Sequence, residues 1–300
     1  MRVDPNMVPD MLAAIQQSEQ SLQTALQQVS TGKSVTLPSD NPAAEANMVQ
    51  NTIETANVDQ YTQNASSALS MVQTADSALS SVVTSLTSAI SLGTEGANGT
   101  SSSVNQQAIA TQVQGILSSV VSQANLSYQG VYVFGGTAST TVPYSVDSTS
   151  PSGYTYNGNT GVNSVPVGDQ MSVQVNIPGS QIFSNTSTNV IGSLSSLVTA
   201  LQSGDTSAIS TATAAVSSAM AYVSQQRVVY GNAESQLNSQ ETYLQQETVS
   251  LSSQATSLVG VDMATAATTL SQAETDNNAA LAAAAKVVPN SLLNYLSTPS

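Results

Sequence analysis

The chain has 300 residues, 18 of them acidic against 4 basic, a net charge of −14, and no His, Cys or Trp. Without His and Cys the usual metal ligands, thiolate nucleophiles and neutral-pH general bases are missing, so the expectation is a non-enzyme with no cofactor, no metal and no disulfide. The only cations, Arg2, Lys33, Arg227 and Lys286, are scattered, which gives nucleic acid or an anionic membrane surface no electrostatic hold.

Only 7% of residues are charged and 4% aromatic, and Ser, Thr, Ala, Gln and Asn fill most positions, a composition that suits a thin, alanine-rich helical core. The start, MRVDPNMVPDML, carries acids and prolines where a cleaved secretory signal needs a cationic start and an apolar run; export without such a signal is the expectation. The longest apolar run, Ala279 to Ala285, falls far short of a membrane span, so no membrane insertion is expected.

In chain order, Val8, Leu12, Ile15, Glu19, Leu22, Leu26 and Val29 are spaced alternately four and three apart and predict a first helix with a coiled-coil stripe that only Glu19 breaks. The stretch STGKSVTLPSDNPAA, Ser30 to Ala44, reads as a built joint. Gly32 supplies a left-handed helix end, Pro38 pushes Leu37 out of the helical region, and Asn41 with Pro42 supplies an N-cap and a first turn.

A second helix carries the same register through Val58, Tyr61, Ala65, Ala68, Val72, Ala75, Leu79, Val82, Leu86 and Ala89. GTEGANGT, Gly93 to Thr100, predicts a turn, and Ile109, Val113, Ile116 and Val120 a third, antiparallel helix. From Val131 to Phe183 the pattern changes: both phenylalanines and several tyrosines fall here, and VYVF, YTY, VPV and MSVQVNI predict short strands, with Asn157-Gly158 as a type I′ hairpin turn. Val223, Tyr230, Leu237, Leu244, Leu251 and Leu258 then recur every seven residues. Gly260 with Asp262 resembles a second joint, and Met263, Ala267, Leu270, Leu281, Ala284 and Val288 predict a last helix closed by Pro289.

The predicted fold is mainly α with a β insertion: N- and C-terminal helices paired in a coiled-coil-like bundle and a small β domain in the middle. The expected divisions are 1–40 and 259–300 as the two halves of the terminal pair, 41–130 and 193–258 as a helical domain, and 131–192 as the β domain. Short alanine-rich stripes bury little surface, ~0.8 kcal/mol per methylene against ~1–2 kcal/mol per ordered residue, so the terminal pair needs further copies to hold it. Candidate assembly residues are therefore Val8, Leu12, Ile15, Leu22, Leu26, Val29, Met263, Leu270, Leu281 and Val288, with Gly32, Pro38, Asn41, Pro42 and Gly260 as joint residues. Asp40 with Glu45 and Glu241 with Glu247 read as capping and solvated helix surface, since no acid, base or metal ligand accompanies them, and Gly135-Gly136 reads as a strand-end turn.

MRVDPNM at the start, LQQVSTGKSVTLPSDNPAAEANM (26–48), QYTQNASSALSMVQTADSALSSV (60–82), GVYVFGGTAST (130–140) and VQVNIPGSQIF (173–183) give the chain a resemblance to the flagellin superfamily over nearly its whole length. Within it, PSDNPAA, YVFGG and PGSQIF resemble the hook-filament junction family, hook-associated protein 3, although that family carries more arginine around Lys33 and in the first helix. The resemblance implies a structural part of the bacterial flagellum, extracellular and exported through the flagellar type III apparatus. Its implied partners are the first hook-filament junction protein, flagellin, copies of itself in a ring and an export chaperone. Flagellin or a minor filament subunit, and a secreted adhesin-like module displayed through the tyrosine-rich β region, are the alternatives.

Overall fold

A computed structural model describes residues 7–35, 37, 39, 41–99 and 102–296. Among these, the chain is mainly α-helical with a small central β region. The helices are α1 (Met7–Thr31), α2 (Pro42–Gly96), α3 (Ser103–Ala124), α4 (Gly179–Ile182), α5 (Val190–Ser203), α6 (Thr206–Val259) and α7 (Met263–Leu296). The strands, β1 (Ser127–Tyr128), β2 (Val131–Tyr132), β3 (Tyr144–Val146), β4 (Tyr154–Tyr156), β5 (Ser164–Pro166) and β6 (Ser172–Gln174), pair in sequence as three antiparallel ribbons. The chain forms two compact units, Met1–Asn57 with Glu247–Ser300, and Val58–Gln246.

In the second unit the heptad positions of α2 and α6 are the core. Val72, Leu79, Leu86, Val223, Tyr230 and Leu237 are buried, as the seven-residue period requires when one stripe of each helix must leave water. Polar groups flank that seam: Arg227 Nε and a second guanidinium nitrogen grip the Asp76 carboxylate at 2.9 Å each, and Gln73 donates to Glu234 at 2.9 Å. The Asp76 hydrogen bond in turn raises the Arg227 guanidinium pKa.

The turn expected over GTEGANGT occupies only its second half, 97–99. Helix α2 runs on to Gly96, and a Cβ on Gly93 would collide with Thr213 and one on Gly96 with Leu201, so these glycines admit neighbouring helices to close approach. Helix α5, which carries no repeat long enough to single out, packs on α3; Asn189 Oδ1 caps its start by accepting from the Gly192 N–H at 2.7 Å, and Gly204 ends it at φ 75°.

The β region has less strand than the alternation predicts. Of MSVQVNI only 172–174 pair, although Val173, Val175 and Ile177 are buried as expected. Nor does Asn157-Gly158 turn a hairpin: β3 and β4 pair Tyr144 with Tyr156 and Val146 with Tyr154, so their turn is 147–153, ending at Gly153 with φ 76°, and Asn157 follows the hairpin. Two-residue and three-residue ribbons are marginal alone. Here they lean on an aromatic cluster in which Phe134 meets Phe183 edge-on at 5.2 Å and Tyr144 meets Tyr156 at 5.1 Å. Tyr144 Oη donates to the Gly179 carbonyl at 2.9 Å, and the Tyr230 hydroxyl on α6 accepts the Ile177 N–H at 3.0 Å. Burial pushes both phenols well above their ordinary pKa.

The first unit holds α1, α7, the first part of α2 and the last part of α6. Asn51, buried on α2, donates to the Leu251 carbonyl of α6 at 3.0 Å. Pro289 does not close α7, whose backbone continues to Leu296.

Candidate assembly surface of the terminal helices

Helices α1 and α7 pack against one another through positions with alternating four- and three-residue spacing. On α1 these are Met11, Ile15, Ser18, Leu22, Ala25 and Val29, and on α7 Ala266, Leu270, Ala273, Asn277, Ala280 and Ala284, all buried or half-buried. The most buried members are alanines, Ala25, Ala266 and Ala273. A seam of small residues lets two helices approach closely but removes little apolar area from water.

The stripe predicted on α1 is thereby split. Ile15, Leu22 and Val29 fall in the seam with α7, and Leu270 joins them from the other helix. Leu12 (57% exposed), Leu26 (48%), Met263 (51%) and Leu281 (48%) stand outside it. Val8 and Val288 lie outside the residues whose side chains are described. The predicted stripe takes the larger apolar residues at a four-three spacing; Ser18, Ala25, Ala266 and Ala273 were missed because a small residue signals a helix contact only through its spacing, and Met11 because the predicted stripe passes through its neighbour Leu12.

Two polar atoms interrupt the seam. Ser18 Oγ and Asn277 Oδ1 are buried without a hydrogen-bond partner, an arrangement that costs stability. Beside Ser18 an open groove of about 700 Å³ runs between the helices, floored by Ala14 and Ala273 and edged by Gln17, Thr269 and Asp276.

The two joints are clasped together. Gly32 adopts φ 68° and its N–H closes α1 on the Gln28 carbonyl at 2.9 Å; Lys33 then pairs with Gly260 in an antiparallel bridge. The Ser34 N–H reaches the Val259 carbonyl at 2.7 Å and the Val261 N–H reaches the Gly32 carbonyl at 3.1 Å. A Cβ on Gly260 would collide with the Thr256 carbonyl oxygen, so the position requires glycine at ordinary φ. Each new helix is capped: Asn41 Oδ1 accepts the Ala44 N–H at 3.1 Å ahead of Pro42, and Asp262 Oδ1 accepts the Ala264 N–H at 2.9 Å. Pro38 lies outside the described residues.

Among the described residues no group of three or more His, Cys, Asp or Glu side chains is placed to hold a metal ion, and no helix is long and apolar enough to cross a membrane.

The bacterial flagellin N-terminal helical region matches residues 6–139 and the flagellin C-terminal helical region residues 213–296, together more than two thirds of the chain. The chain belongs to the flagellin family. Both matches contain a terminal helix of this surface, its joint, and a long inner helix. No curated protein sequence matches this flagellin-family chain.

Among solved structures, a protein of Vibrio parahaemolyticus described as a flagellar hook-associated protein shares the fold at TM-score 0.67 and 20% identity, over 73% of this chain and 99% of its own. FlgL of Bacillus cereus does so at TM-score 0.60 and 23% identity, over 69% of this chain and 99% of its own. The flagellar junction protein FlgL of Legionella pneumophila matches at TM-score 0.60 and 14% identity, over 71% of this chain and all of its own.

Proposed function

We propose that this flagellin-family chain is a structural subunit of the bacterial flagellum, an adaptor at the hook-filament junction that links the first junction protein to flagellin. The observation that carries the reading is the terminal pair. Its seam is most deeply buried at alanines, and four of its large apolar side chains, Leu12, Leu26, Met263 and Leu281, stand exposed where neighbouring subunits of a ring or lattice would cover them. The likeness in fold to hook-associated and junction proteins supports the junction position in this reading. Copies of this chain, the first junction protein and flagellin are then the partners that complete the surface. The chain leaves the cell unfolded through the flagellar export apparatus, with a chaperone guarding the terminal stripes.

In this reading residues 131–192, although they pack on α6 through Tyr230 and carry the start of α5, contribute nothing to the assembly surface. The test is electron microscopy of cells lacking the protein, which should show bare hooks and flagellin shed into the medium. Normal hooks and filaments in those cells would refute the junction role, and filaments grown indefinitely from the purified chain alone would make it a filament subunit instead. A chain deleted for 131–192 should still be incorporated; loss of ligand binding with assembly intact would mark an adhesin.

A further inference from the structure

Helices α1 and α7 run antiparallel, since the end of one and the start of the other meet in the clasp between Lys33 and Gly260. In an antiparallel pair the corresponding flanks of the two helices lie on the same side of the seam. The groove beside Ser18 marks one side: it takes Ala14 and Ser21 from α1 and Thr269 and Asp276 from α7, each four residues before a seam position. The residues that follow those seam positions by one turn to the other side. They are Leu12, Glu19 and Leu26 on α1 and Ala267, Glu274 and Leu281 on α7, all exposed.

Ser18 and Ala273 line the groove at one level, so the residues next to them, Glu19 and Glu274, come level on the opposite flank. Seven residues back along α1 and seven residues on along α7 lead the same way, to Leu12 and Leu281. The reverse steps lead to Leu26 and Ala267 near the joint. The flank is thus three layers about 10 Å apart, apolar, acidic and apolar. Among the described residues neither Glu19 nor Glu274 is held by a hydrogen bond or an ion pair.

Any chain that covers the leucines also covers the two carboxylates, and a charge taken out of water without an opposite charge costs more than a half-exposed leucine returns. The covering chain must therefore bring a cation between two apolar residues. A second copy does not. Laid on this flank about a two-fold axis, it would set four carboxylates together. Its Arg227 is taken by Asp76, its Lys33 stands at the joint, and its Lys286, five residues past Leu281, is turned to the far side of α7. We infer that this flank docks a helix of a different polypeptide, one that presents a lysine or arginine with an apolar residue a heptad away on each side, and that copies of this chain do not pair through it. The inference rests on the terminal pair being an assembly surface, as in the proposed function, and adds the chemistry of the partner.

The test titrates the full-length chain, by fluorescence anisotropy, with two labelled helical peptides that differ at one position: leucine, lysine, leucine or leucine, glutamate, leucine at heptad spacing on an alanine-glutamine background. The lysine peptide should bind at least about tenfold more tightly, the size of a surface attraction turned into a repulsion. Glu19→Lys combined with Glu274→Lys should reverse the order, with circular dichroism showing that these exposed changes leave the helices intact. Equal affinity for the two peptides, binding of neither, or the same order in the double variant would overturn the inference. So would a dimer of the unmodified chain, seen by sedimentation, that Leu26→Asp dissolves and Glu19→Gln strengthens, since a second copy would then be the occupant. Equal peptide binding alongside bare hooks in cells lacking the protein would remove this partner chemistry and leave the junction role standing; normal hooks alongside the lysine preference would do the reverse.

Discussion

Leu26→Asp and Leu281→Asp test the assembly surface most directly. Complete burial of a leucine is worth about 1.5–3 kcal/mol, and each of these side chains is 48% exposed in the single chain, so roughly 1 kcal/mol per leucine is left for a neighbouring subunit to collect. With Leu12 and Met263 in the same state, the four together offer about 4 kcal/mol per subunit, close to a thousandfold in association. An aspartate there forfeits the leucine's share and adds a charge that must be desolvated at the contact. Within the monomer it removes only contacts already half-made, so the second unit, Val58–Gln246, should melt unchanged. The assay is complementation of a deletion strain, with subunits incorporated per hook counted by electron microscopy and the melting of purified protein followed by circular dichroism. Ala25→Asp is the contrasting variant: Ala25 is buried in the seam, so this change should unpair α1 from α7 before any assembly. Incorporation of both leucine variants at the unmodified level would refute the reasoning.

Other perturbations probe the joints, the seam and the β region. Gly260→Ala should break the clasp more severely than Gly32→Ala, because the first meets a backbone carbonyl while the second has open space and only the left-handed φ to bear, ~1 kcal/mol; hydrogen exchange at the Ser34 and Val261 amides reads both. Asn277→Leu removes a buried oxygen without a partner and should stabilise the α1–α7 pair by about 1–3 kcal/mol, seen as slower exchange of α7 amides. Tyr230→Phe leaves the buried Ile177 N–H without an acceptor and should cost ~1–3 kcal/mol in chemical denaturation. Because burial raises the Tyr230 pKa above its ordinary value of 10.0, the neutral phenol belongs to the folded state: its stabilisation is complete below pH 10 and is lost as pH rises beyond it. Alkaline unfolding of the Phe variant should therefore show a shallower pH dependence, and equal dependence would remove Tyr230 as the cause.

How far the sequence revealed these features depended on the size of the signalling side chain. The inner heptads of α2 and α6 were legible because Val72, Leu79, Leu86, Leu237 and Leu244 are large, regular and buried. The joints were legible because glycine, proline and a capping Asn or Asp each impose a distinct backbone geometry, and Asn41 and Asp262 both cap as their positions suggest. The partner of each joint was not, since nothing local in Lys33 or Gly260 encodes the bridge between them. Glycines misled twice. Gly93 and Gly96 serve helix packing rather than a turn, and Gly158 sits in a crowded loop after a hairpin rather than at its tip. Both depend on atoms distant in sequence, as does the choice of Ala25 over Leu26 for the seam.

The clasp between the joints also fixes a sequence in time. Ser34 and Val259 are 225 residues apart, and bringing such distant points together in a loose chain costs about 5 kcal/mol of loop entropy. The alanine seam beyond the clasp cannot supply that by itself. Once α2 and α6 have zipped as far as Asn51 and Leu251, most of the cost has been met, and only the 17 positions from Asn51 back to Ser34 and the 8 from Leu251 on to Val259 are left to close. The outermost helices are thus the last to order as the polypeptide folds and the first to loosen when it comes apart.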